Sequence, residues 1–181
     1  MSWPYIAGYF DGEGCLLLGI HRDKREKSTK GSEVNGWCIG PALSISSGDY
    51  EVFFEMEKFL NSENIKTAKM DLRKKRKNQT KDFMRLNVMG WDNISKCIKN
   101  ILPYSIAKRK QLELYFELVK IVHSKPCSKT KRNTHGIWTK ELFMKAMVKI
   151  DEINNLKSGL RGKMNANYFK ILWSKELGME I

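Results

Sequence analysis

The chain has 181 residues, enough for one domain or one domain with an extension, and 33 Lys and Arg against 20 Asp and Glu leave a formal net charge of +13. That excess makes a polyanion the expected partner, nucleic acid before membrane. No apolar run approaches the roughly 20 residues that span a bilayer, and the first residues lack the basic start and long apolar stretch of a signal peptide. The four cysteines, Cys15, Cys38, Cys97 and Cys127, have no paired metal or redox spacing. An intracellular, soluble protein is expected.

The first element is an apolar helix that contains the stretch IAGYFDGEG, from Ile6 to Gly14. Glycine inside a helix costs roughly 1 kcal/mol relative to alanine. Gly8 and Gly12, one turn apart, therefore predict a face where another backbone comes close. Asp11 and Glu13 end the segment. A helix C-terminus exposes unpaired carbonyls and carries partial negative charge, so a carboxylate there makes a site for a divalent cation rather than for an anion.

After Gly14 the apolar residues recur every second position. Leu16, Leu18 and Ile20 face one way and Leu17, Gly19, His21 and Asp23 the other, which reads as a strand with one buried face. A polar, turn-forming stretch over 28–36 precedes a second strand through Ile39, Leu43 and Ile45. Val52, Phe53, Met56, Phe59 and Leu60 then fall at helical spacing with Asp49 as N-cap. A third strand alternates Ala68, Met70 and Leu72 against Lys69, Asp71, Arg73 and Lys75. A fourth alternates Met84, Leu86 and Val88 against Arg85 and Asn87. Two helices follow, over 91–102 and 108–122, separated by Pro103. Beyond a basic connector at 124–136, further helices are expected from Thr139 to Asn154 and from Asn165 to Leu177. The order is helix, two strands, helix, two strands, two helices, and an antiparallel four-stranded sheet backed by helices satisfies it.

The stretch from Ile6 to Gly14 resembles the LAGLIDADG motif that defines a family of homing endonucleases and intron maturases. Small residues, apolar residues, first acid, small residue, second acid and glycine all fall in place, with Glu13 where the family most often has Asp. The resemblance covers roughly residues 3 to 122 and implies an α+β fold, the αββαββα LAGLIDADG core with a curved, antiparallel, four-stranded DNA-binding sheet. A core over 1–123, a connector over 124–136 and a helical extension over 137–181, packed on the core or on DNA, complete the expected organisation.

The resemblance also implies the chemistry. Glu13 matches the family's metal-binding acid and Gly12 the residue whose carbonyl lies beside the metal, Mg²⁺ or Mn²⁺. Asp11 is expected to be structural. Lys108 matches a lysine that reaches the active site, and Ser47 stands where many relatives carry a water-organising Gln. One motif per chain implies a homodimer, with Ala7, Gly8, Phe10, Asp11 and Gly12 at the interface. The implied activity is a metal-dependent double-strand break in a long, pseudo-palindromic DNA target. A maturase that binds intron RNA without cutting DNA is the alternative.

The DNA contacts come from the strand alternation. His21, Asp23, Arg25, Ser44, Lys69, Asp71, Arg73, Lys75, Arg85 and Asn87 lie on the polar face of the sheet, where Arg and Lys can address guanine and Asn adenine in the major groove. Lys110 joins them from the following helix. The basic run from Arg73 to Lys77 and the connector from Lys125 to Arg132 are expected to bind phosphates.

Overall fold

A computed structural model describes residues 1–23, 32–75, 82–126, 137–156 and 164–176. The expected order is present: α1 (Trp3–Glu13), β1 (Gly14–Arg22), β2 (Trp37–Ser47), α2 (Tyr50–Ser62), β3 (Asp71–Arg73), β4 (Phe83–Met89), α3 (Trp91–Ile101), α4 (Arg109–His123), α5 (Lys140–Asn155) and α6 (Ala166–Glu176). The fold is α+β, with a four-stranded sheet of order β1-β2-β4-β3. Arg25, residues 76 and 77 of the basic run, and the connector beyond Pro126 lie outside the described residues.

Helix α1 starts where Ser2 accepts a hydrogen bond from the Tyr5 N–H at 3.5 Å, with Pro4 in the first turn. It stops at Gly14, whose extended φ of −81° and ψ of 153° lead straight into β1. The third glycine of the motif has its own reason. A Cβ on Gly14 would lie 2.0 Å from a ring carbon of Phe10, and that ring is wholly buried. Replacing Gly14 with Ala therefore forces the ring or the helix end to shift. An overpacking cost of about 1–3 kcal/mol is expected, to be read from denaturant unfolding; unchanged stability would mean that the Phe10 ring can move aside freely.

In the sheet, β4 pairs antiparallel with β2 on one side and with β3 on the other. Cross-strand partners share a face, so Leu43 with Val88 and Ile45 with Leu86 make the inner layer, all nearly inaccessible. Helices α2 and α3 pack on β4 from that side through Phe53, Met56, Ile94 and Ile98. The third strand is shorter than its alternation predicts. Ala68 donates to the Asn87 carbonyl and Thr67 forms an isolated bridge with Val88, but only Asp71–Arg73 is a strand, and Leu72, expected inside, is 56% exposed. This edge strand has no neighbour on its outer side, so alternation alone gives Leu72 nothing to pack against.

Two compact units divide the chain. The first comprises 1–19 and 40–113 and holds α1, α2, α3, β3, β4 and the inner part of β2. The second comprises 20–39 and 114–181, so the outer half of the β1–β2 hairpin is grouped with the C-terminal helices. Its core is aromatic: Phe143 and Phe169 meet edge to face at 5.0 Å, and Trp37, Trp138 and Trp173 surround them. No helix among the described residues is long and apolar enough to cross a membrane.

Candidate functional site

The motif acids sit at the end of α1 and do different things. The Asp11 carboxylate turns toward the start of α4. Its Oδ2 accepts the backbone N–H groups of Ile106 at 2.6 Å and Ala107 at 3.0 Å, while Oδ1 accepts that of Lys108 at 3.1 Å and the hydroxyl of Ser105. The orphan N–H groups at a helix start are thus capped by an acid 95 residues away in sequence. Burial acts to raise the Asp11 pKa, but the Ser105 hydroxyl and the three N–H donors outweigh it and hold the carboxyl below its ordinary value.

Lys108 closes the exchange in the opposite direction. Its Nζ donates to the Phe10 carbonyl at 3.0 Å and to the Asp11 carbonyl, capping the negative end of α1. Each helix end is therefore satisfied by a charged side chain from the other. Arg109 tightens the loop between α3 and α4 by donating to the carbonyls of Ser105 at 3.1 Å and Pro103 at 3.2 Å. Lys108, expected to reach toward the reacting groups, spends two of its three donors on the two carbonyls that precede Gly12.

Glu13 is exposed at the end of α1, with no hydrogen bond or ion pair among the described residues. No group of three or more His, Cys, Asp or Glu side chains gathers among the described residues. A cation at this tip would thus have one carboxylate, helix-end carbonyls and whatever oxygens a ligand brings. That hard-oxygen donor set fits Mg²⁺ or Mn²⁺, which keep waters and take oxygens from bound phosphate.

The exposed side of α1 is narrower than the expected interface. Ala7 and Phe10 are wholly buried in the chain's own core, and Asp11 is committed to α4. The open stripe is Met1, Tyr5, Gly8 and Gly12. A Cβ added at Gly8 or Gly12 would meet nothing within 4 Å, so no packing among the described residues accounts for either glycine. Ser47, expected to organise water, is the last residue of β2, where its hydroxyl accepts the Asp49 N–H at 3.2 Å. Asp49 holds the N-cap position of α2 without a side-chain cap bond.

On the outer face of the sheet in the first unit, the register aligns Ser44 with Asn87, Ser46 with Arg85, Asp71 with Arg85 and Arg73 with Phe83. Arg85 and Asn87 are partly exposed. Arg85 donates through Nε to Ser46 at 3.4 Å, and Arg73 is paired with Asp71 at 2.8 Å. Lys69 and Lys75 are exposed but lie outside the short strand. Ser44 is 4% exposed, because a small side chain in an inner strand is shielded by the strands on either side; Ser46, two residues on, is partly exposed. In the second unit His21 is exposed and Asp23 is partly so, its N–H donating to Gly36 at 2.8 Å. Lys110 is exposed on α4 beside Glu113.

Lys125, first of the connector cations, turns inward. Its Nζ lies 4.6 Å from the Trp138 ring centroid and burial lowers its pKa to about 8, against the opposing influence of Cys38. Ser105, wholly buried, went unmarked in the sequence because its partner lies 94 residues away.

No protein-family model and no curated protein matches the chain. Solved structures do. The homing endonuclease I-CvuI, in complex with the I-CreI target in the presence of Mg, matches with TM-score 0.67 and 18% identity over 99% of this chain and 96% of its own. The archaeal intron-encoded homing endonuclease I-Vdi141I, complexed with DNA, matches with TM-score 0.64 and 16% identity over 97% of each chain. The LAGLIDADG meganuclease I-CpaMI, bound to uncleaved DNA, matches with TM-score 0.58 and 16% identity over 100% of this chain but 50% of its own.

Proposed function

We propose, for a chain that carries the fold of the LAGLIDADG homing endonucleases, that it is a site-specific DNA endonuclease making a metal-dependent double-strand break as a homodimer. The observation that carries this reading is the end of α1: an exposed carboxylate, Glu13, on a helix whose last carbonyls and neighbouring helix start are fixed by Lys108 and Asp11. The net charge of +13 supports a polyanionic substrate.

Glu13 and the Gly12 carbonyl would hold the divalent cation together with a phosphate oxygen. Such a cation, when bound, neutralises charge on the scissile phosphate and lowers the pKa of a water. The chain's own residues set the geometry. Lys108 holds the Phe10 and Asp11 carbonyls, and so the direction of the Glu13 arm, and its third donor is left for the phosphate side. Ser47 keeps its hydroxyl proton for a solvent network. Arg85, Asn87, Asp71, Arg73 and Ser46 supply base-edge contacts from the first unit, and His21 and Asp23 from the second. Lys69, Lys75 and Lys110 bind phosphate, giving register without sequence information.

Two observations support the dimer. The unexplained Gly8 and Gly12 leave α1 open to a second copy of itself, and the chain spans nearly all of I-CvuI and I-Vdi141I but half of I-CpaMI. Incubation of the full chain with a random DNA library and Mg²⁺ should yield cut sequences that are roughly two-fold symmetric, and a chelator should abolish them. Gly8→Arg should leave the chain folded but halve its sedimenting mass and remove double-strand cleavage. A Gly8→Arg variant that remains dimeric would refute the α1 interface.

A further inference from the structure

The C-terminal helices meet the segment that leads into β2. Within the second unit, the Glu33 N–H donates to the Trp138 carbonyl at 3.2 Å and the Glu33 carboxylate accepts the Lys140 N–H at 3.0 Å, at the first residue of α5. An acid on orphan N–H groups at the positive end of a helix is a favourable pairing. Thr139 already caps the Leu142 N–H, so Glu33 serves a donor that the local cap leaves unsatisfied.

Three more contacts fix the same segment. Trp37, at the start of β2, packs edge-on against Phe169 of α6 at 5.1 Å. Val34 is wholly buried. The turn between them needs left-handed backbone at Asn35 and Gly36, with φ of 48° and 81°, and is tied to β1 by Arg22 Nε on the Asn35 carbonyl and Asp23 N–H on the Gly36 carbonyl, both at 2.8 Å. His21 lies between these anchors and the rest of β1. A hairpin end alone has few contacts to hold it, and here α5 and α6 add theirs through Lys140 and Phe169.

We infer that the C-terminal helices position the end of this hairpin for base reading, with Glu33 as the positioning residue that latches the turn to α5. The inference rests on the DNA-reading role proposed for His21 and Asp23, and it makes the extension a determinant of specificity rather than of chemistry. The test uses the full chain with Glu33→Ala and Glu33→Gln; Glu33 is exposed, so both should fold. In the DNA-free protein, hydrogen exchange at amides 21–23 and 37–39 should accelerate in Glu33→Ala while α1 and α3 keep their protection, and Glu33→Gln, which retains an acceptor oxygen, should restore much of it. On DNA, Glu33→Ala should lose base preference roughly tenfold at one block of target positions, repeated in both half-sites, while single-turnover cleavage at saturating protein on the best target is unchanged.

Unchanged exchange at these strand ends would overturn the latch. Faster exchange with an unaltered base profile would overturn the link to specificity. A wild-type protein that neither binds nor cuts any DNA would instead refute the endonuclease reading, with the exchange measurement still deciding the latch.

Discussion

Glu13→Gln should leave the protein folded and able to hold its target while cleavage falls about 10³-fold or more, since several kcal/mol of charge stabilisation disappear and each 1.36 kcal/mol is a factor of ten. The separation of the two effects follows from the position of the side chain. Glu13 is exposed and makes no hydrogen bond or ion pair among the described residues, so an amide of the same shape costs the fold nothing. It also removes one negative charge from the surface proposed to meet DNA, which should if anything favour binding. Single-turnover cleavage in Mg²⁺, set beside affinity measured in Ca²⁺, distinguishes loss of chemistry from loss of binding. Cleavage at the wild-type rate would sink the assignment of Glu13 as the cation ligand.

Asp11→Asn should produce the largest loss of stability. The carboxylate accepts four hydrogen bonds, three of them from consecutive backbone N–H groups. An amide keeps one oxygen and turns an NH₂ toward donors. With hydrogen bonds to a charged group contributing about 1.5–3 kcal/mol each, a loss of roughly 3 kcal/mol is a conservative expectation, or a fall in melting temperature of roughly 6–12 °C for a chain of this size.

The acid limb of the stability curve carries the same signature. The folded pKa of Asp11 lies below its ordinary value, so the unfolded chain binds more protons in that range and stability rises with pH there. The contribution is complete above the ordinary carboxylate pKa and is lost as pH falls through the lowered one. The Asn variant should lack this component, so its difference from wild type should shrink in acid. A variant as stable as wild type, with the same acid slope, would show that the four contacts are not coupled to folding. Cleavage should fall as well, because Lys108 then loses the helix start that presents it to α1.

Much of the fold was legible because strand and helix periods differ. The two-residue alternation of 16–20 and 84–88 and the three- and four-residue spacing of Val52, Phe53, Met56 and Leu60 gave the elements and their buried faces. Helix limits fell within a residue or two. Helix α1 resisted the same treatment: it is apolar on nearly every side, so composition could not say that Ile6, Ala7 and Phe10 turn inward while Tyr5, Gly8 and Gly12 stay open. Ser44 had the correct face but not the exposure, since face follows from alternation whereas exposure follows from the neighbouring strands.

The candidate site divides along the same line. Its acids, their spacing and their place at a helix end were fixed by nine consecutive residues, because where a helix ends is set by local chemistry. Their division of labour was decided by tertiary structure alone. Asp11 became a cap on the start of α4, Lys108 a clamp on the end of α1, and Glu33 a cap on the start of α5, through partners 94 to 107 residues distant. Hydrogen-bond donors and acceptors of a helix end carry no mark of who will satisfy them, and a charged side chain commits only when folding brings the unpaired groups within 3 Å.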